Sequence, residues 1–142
     1  MDVKQLFENF KTVVTQHYAD FNGRASRAVF WQYTLVYTVV FALLFWVLGL
    51  RLIANLLSLA LLLPSLGVSV RRLHDIGKSG WLVLLPVIPW FLTAAFMFVF
   101  WPLTIVSGLA GLICVGYLIY LYTQPGVAGS NEFGPAPDAL AA

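Results

Sequence analysis

Between Arg27 and Arg71 lie 43 residues with a single charge, Arg51, and Ser79–Asn131 carries no Asp, Glu, Lys or Arg. A chain that keeps charge out of stretches this long has few folds open to it. A helix of about 20 residues crosses the hydrocarbon core of a bilayer, so each stretch is long enough for two spans and a tight turn. The chain is 61% hydrophobic and 10% charged, against about 45–50% and about 25% in a soluble domain. The bilayer is therefore the expected solvent, and the expected fold is an all-α membrane protein forming one domain over 1–142. Four transmembrane helices are expected in two hairpins, over 28–50, 52–70, 81–101 and 102–122. Arg51 falls where the first hairpin turns, and Pro102 suits the first turn of the last helix. Pro86 and Pro89 kink the third segment, and Pro64 bends the second.

Ahead of the spans, Val3, Leu6, Phe7, Phe10, Val13, Val14 and Tyr18 recur at helical spacing. Residues 2–20 thus read as an amphipathic helix, too poor in apolar residues to span and suited to the interface. Asn22-Gly23 ends it, and Ser26 or Asn22 caps the first span. No cleavable signal segment is evident. On the second span Asn55, Ser58, Ser65 and Ser69 share a face, read as interhelical hydrogen bonding. On the fourth, Thr104, Ser107, Gly108 and Gly111 form a small-residue face, either an internal seam or an oligomer contact. Residues 123–142 read as a tail without helix or strand signal.

Of the eight Lys and Arg residues, all but Arg51 lie in the N-terminal segment or the central loop. The positive-inside rule makes that side cytoplasmic, so both termini are expected in the cytoplasm. The net charge of +2 is too small for a nucleic-acid partner. Cys114 is single and apolar in context, so it is a packing residue.

The polar loop Arg71–Trp81 reads RRLHDIGKSGW. Its Gly77-Lys78-Ser79 is not a phosphate-binding loop, which needs glycine where Arg72 stands. His74 and Asp75 invite an acid–base role, but no nucleophile or second carboxylate accompanies them. The preferred reading pairs Asp75 with Arg72 or Arg24 and packs His74 on Trp81. No catalytic, cofactor-binding or metal-ligating residues are assigned, and no cofactor is expected. Arg24, Arg27, Arg71 and Arg72 are expected at one membrane depth, where guanidinium forks suit phosphate. With His74, Asp75, Lys78 and Asn131 they make the candidate site for an anionic head group or a partner.

Phe21-Asn22-Gly23-Arg24-Ala25-Ser26-Arg27 followed by Phe30-Trp31 resembles the N-terminal motif of the domain of unknown function 805 family, the YhaH-type bacterial inner-membrane proteins. Pro64-Ser65 leading into Arg71–Trp81 resembles its central motif, and Gly129–Pro135 its C-terminal one. The resemblance implies a bacterial inner-membrane protein and supplies no activity or catalytic residues. In the two-hairpin topology all three motifs reach the cytoplasmic face, and Arg24, Arg27, the central loop and Asn131–Gly134 should meet there. The leading expectation is a non-enzymatic membrane protein binding lipid head groups or a protein partner. The alternatives are an oligomeric small transporter or channel component, and a membrane enzyme acting on a lipid phosphate.

Overall fold

A computed structural model of the protein describes residues 2–137. Among these residues the secondary structure is helical, with no strand and one isolated bridge between Asn131 and Gly134. The part of the expected tail beyond Pro137 lies outside the described residues.

Helix α1 (Val3–Thr15) starts on Asp2, whose carboxylate accepts from the Lys4 backbone N–H. It is as amphipathic as its spacing predicts. Val13 is buried, Phe10 stacks on Tyr33 with ring centroids 5.3 Å apart, and Asn9 donates to Gln32. Val3 and Phe7, in the first two turns, stay exposed.

Helix α2 (Arg27–Ala42) is capped by Ser26, whose hydroxyl accepts from the Val29 N–H at 3.3 Å. It runs on through a π-helical turn, Leu43–Val47, giving a span of 21 residues. Tyr33, Tyr37, Phe41 and Phe45 stack one above the next at four-residue intervals. The chain turns at 48–50, and Arg51 opens α3 (Arg51–Ala60) with its guanidinium 5.6 Å from the Phe45 ring centroid.

Helices α3 and α4 (Leu62–Asp75) meet at a bend of 49° around Leu61. Pro64 accounts for the break. It has no N–H to give the Ala60 carbonyl four residues back, and its ring crowds that oxygen. The Tyr18 hydroxyl donates to the freed carbonyl at 2.5 Å.

The stretch expected as one span over 81–101 is divided. A 3₁₀ turn at Gly80–Leu84 precedes α5 (Val87–Phe96), and the chain turns again before α6 (Trp101–Thr123). Pro86 cannot continue a hydrogen-bonded helix, so α5 begins after it, with Pro89 in its first turn where no N–H is required. A helix of ten residues rises only about 15 Å. By length and composition α2 with its π turn and α6 are each able to cross a membrane, and the bent α3–α4 pair makes up to three.

The best-buried side chains lie at one end of the bundle. Val29, Phe30 and Tyr33 of α2, Val68 and Leu73 of α4, and Leu118, Leu121 and Tyr122 of α6 close around Val13 and Ala25. Outside this cluster Ala54, Leu61 and Pro64 are buried near the α3–α4 bend, but many large apolar side chains are bare, Phe98 to 86%, a surface suited to lipid.

The small-residue face of α6 is an internal seam. Thr93 of α5 donates to the Ser107 hydroxyl at 3.0 Å, and a Cβ at Gly111 would lie 3.0 Å from the Trp90 ring. Gly111→Leu is therefore expected to wedge α5 from α6 and cost about 1–3 kcal/mol, read as a lower unfolding midpoint in detergent.

Candidate functional site

The centre of the polar end is Asp75, the last residue of α4, with its side chain 5% exposed. Helical spacing puts Arg72 one turn back on the same face. Its Nη1 donates to Asp75 Oδ2 at 2.6 Å. The segment 16–26, leading into α2, delivers Arg24, whose Nε donates to Asp75 Oδ1 at 3.0 Å, with Nη2 2.9 Å from the same oxygen. One carboxylate thus holds two buried guanidiniums. A charge buried this deeply is tolerated only with its partners in place.

Both arginines spend their remaining donors on backbone. Arg72 donates to the carbonyls of Tyr122 and Gln124 at the end of α6, satisfying acceptors the helix leaves open. Arg24 donates to Val127 at 2.6 Å and Gly129 at 2.5 Å in the tail. The Val127 N–H closes the loop by donating to the Asp75 carbonyl at 2.8 Å. Gly126 lies so close that a Cβ there would collide with the Asp75 carboxylate.

A second layer orders the tail. Asn131 donates from Nδ2 to the His74 carbonyl at 2.8 Å and accepts the Phe133 N–H at 2.9 Å. Phe133 then lies flat on the His74 ring, centroids 4.0 Å apart and planes within 1°. His74 Nδ1 is 3.1 Å from the Gly23 carbonyl, an acceptor only, so Nδ1 carries the proton. This corrects one expectation: His74 packs on Phe133 rather than Trp81, which is 80% exposed. The aromatic partner was missed because it lies 59 positions away across the tail.

The structure therefore brings Arg24, Arg72, His74, Asp75 and Asn131 into one cluster. Three other expected members stand apart. Lys78 is exposed, and its ammonium has no partner among the described residues. Arg27 is exposed and, among the described residues, makes one long hydrogen bond, 3.4 Å, to the Thr123 carbonyl. It tops a cavity of about 610 Å³ that runs down α2 past Trp31, Leu35 and Thr38. Arg71 is buried on another face of α4, its carbonyl accepting the Ala25 N–H at 3.0 Å.

Beside Arg71, His17 Nδ1 lies 2.7 Å from Asp20 Oδ2, and the Asn22 N–H donates to Oδ1 at 3.0 Å. Burial opposes ionisation of Asp20, but these hydrogen bonds and the field of Arg71 together hold its carboxyl below the ordinary value. Sequence reasoning passed over Asp20 because neither a glycine-rich nor a basic pattern marks it.

Asp75→Asn is expected to strip the counter-charge from two buried arginines and cost about 3–5 kcal/mol. Lys78→Ala should stay within about 0.5 kcal/mol. Denaturant or thermal unfolding of both variants in one detergent measures the contrast.

Comparison with known proteins places this arrangement. The family model described as "Protein of unknown function (DUF805)" matches residues 18–135, which include Arg24, Asp75 and Asn131. The Escherichia coli K12 protein named "Inner membrane protein YhaI" is 32% identical over 131 residues, covering 87% of this chain and 91% of that one. "Inner membrane protein YhaH" from the same strain is 32% identical over 133 residues, covering 87% and 92%. "Uncharacterized protein YiiR", also from K12, is 31% identical over 128 residues, covering 85% and 88%. No solved structure matches. The long apolar helices suit a membrane protein like YhaI and YhaH, and the chain belongs to the DUF805 family of proteins of unknown function.

Proposed function

We propose that this is a non-enzymatic, multi-pass protein of the bacterial inner membrane that holds an anionic lipid at its cytoplasmic surface through Arg27. The observation that carries this reading is the division of labour among the arginines. Arg24 and Arg72 are consumed by Asp75 and by carbonyls. Arg27 keeps most of its donors free at the head of an apolar groove of about 610 Å³. A cation at head-group level above an apolar channel complements an anionic lipid, its phosphate at the guanidinium and an acyl chain along Trp31 and Leu35. The groups a transport or catalytic role would need are engaged locally. Ser58 and Ser69 donate to carbonyls of their own helices, Ser65 pairs with Tyr33, and His74 is held between Gly23 and Phe133.

In this reading the chain makes four crossings in two hairpins, α2 with the bent α3–α4 pair, then the Gly80–Phe96 segment with α6. Five 3₁₀ residues and ten α residues rise about 2.0 Å and about 1.5 Å each. With Leu85-Pro86 between them they come close to the ~30 Å core. Both termini then share the cytoplasmic side with seven of the eight basic residues, and α1 lies along that surface.

Native mass spectrometry of gently extracted protein is expected to show retained phosphatidylglycerol or cardiolipin, reduced severalfold in Arg27→Ala, with the unfolding midpoint unchanged. Equal retention by both proteins would defeat the lipid assignment. Fluorescent protein fused after Ala142 is expected to fluoresce, whereas alkaline phosphatase there should be inactive. The opposite pair of results would invert the topology.

A further inference from the structure

Arg71 and Arg72 are neighbours in sequence with opposite fates. Consecutive residues sit about 100° apart around a helix, so the two side chains leave α4 in different directions. Arg72 reaches Asp75 and the end of α6. Arg71 instead turns toward α1 and the segment 16–26, where it lines a cavity of about 620 Å³ with Asn9, Thr12, His17, Asp20 and Asn22. The residue is 5% exposed, yet its Nε and Nη2 are buried with no hydrogen-bond partner among the described residues. No ion pair among those residues includes it.

The two idle atoms are the informative ones. Nε–H and Nη2–H project in parallel from one edge of the guanidinium, the fork that takes two oxygens of a single oxyanion. Asp20 shares the cavity, but no ion pair within 4.0 Å joins it to Arg71; its oxygens meet His17 at 2.7 Å and the Asn22 N–H at 3.0 Å, and each keeps a lone pair for a further donor. A buried cation without a partner is strongly unfavourable, so the fork points to a partner from outside the fold. Asp20 also selects among oxyanions. A carboxylate would meet Asp20 with acceptors alone, whereas a phosphate monoester, whose second ionisation lies near neutrality, can donate its P–O–H to Asp20 while accepting from Arg71.

We propose that this cavity binds a phosphate monoester group, held by the Nε–Nη2 fork of Arg71, with Thr12 and Asn22 adding side-chain donors and Asp20 accepting the phosphate hydroxyl. The group comes either from a soluble phosphate or from the head group of phosphatidic acid. The site is separate from the lipid groove on α2, so Arg27→Ala is expected to leave it intact and either reading can fail alone.

The test uses the full chain, labelled with ¹⁵N-arginine, in dodecyl maltoside, which contains no phosphate. The Arg71 Nε–H resonance, identified by its loss in Arg71→Lys, is followed during titration with inorganic phosphate and separately with dihexanoyl phosphatidic acid. A saturable shift with inorganic phosphate supports the site and a soluble source. A shift with phosphatidic acid alone supports the site and a lipid source. No shift with either, or the same shift with sodium chloride at equal ionic strength, overturns the proposal. Arg71→Lys keeps the charge and loses the fork, and is expected to bind about tenfold more weakly by calorimetry. Should that variant fail to fold, Thr12→Ala leaves the guanidinium in place. It is expected to weaken binding about tenfold without moving the unfolding midpoint, and unchanged affinity there would count against the site.

Discussion

One buried carboxylate organises the polar end of this protein. Asp75 takes Arg24 from the segment before α2 and Arg72 from its own helix, and each arginine then fixes carbonyls of the chain after Tyr122. Three segments, separated by as many as 105 positions, are held in one layer by charge-assisted bonds. The layer would not persist with any member missing, because each charge is too buried to fall back on water. The tail's position, the Asn131 turn and the Phe133 stack on His74 all follow from it.

The apolar part is arranged by prolines. Pro64 frees the Ala60 carbonyl, Tyr18 takes it, and α3 and α4 part at 49°. Pro86 separates the 3₁₀ turn from α5. In hydrocarbon, broken backbone must find partners within the protein. Here Tyr18, in the turn that follows α1, supplies one, which ties the N-terminal region to the bend as well as to α2.

The four arginines of the polar end turn out not to be equivalent. Arg24 and Arg72 are structural, Arg27 is exposed above a groove, and Arg71 is buried with two fork atoms unpartnered among the described residues. Sequence proximity is a poor guide to such roles. Arg71 and Arg72 differ by one position and by about 100° of rotation, which is enough to send one to a carboxylate and the other to a cavity.

The sequence by itself determined the solvent and the secondary structure class. Two long uncharged stretches need hydrocarbon, period placed α1, Ser26 was one of two candidate caps of α2, and Pro102 marked the start of the last helix within one residue. It also led to the expectation that Arg24, the central loop and Asn131 meet, and they do. Only the tertiary structure decided which pairs form. That Asp75 would hold both arginines rather than one, that Phe133 and not Trp81 would cover His74, and that the glycine face of α6 would be filled by Trp90 depended on approach between segments distant in the chain. Periodicity and composition report a residue's own environment. They contain no term for the partner that arrives from elsewhere, and at this polar end the partner decides what each charge does.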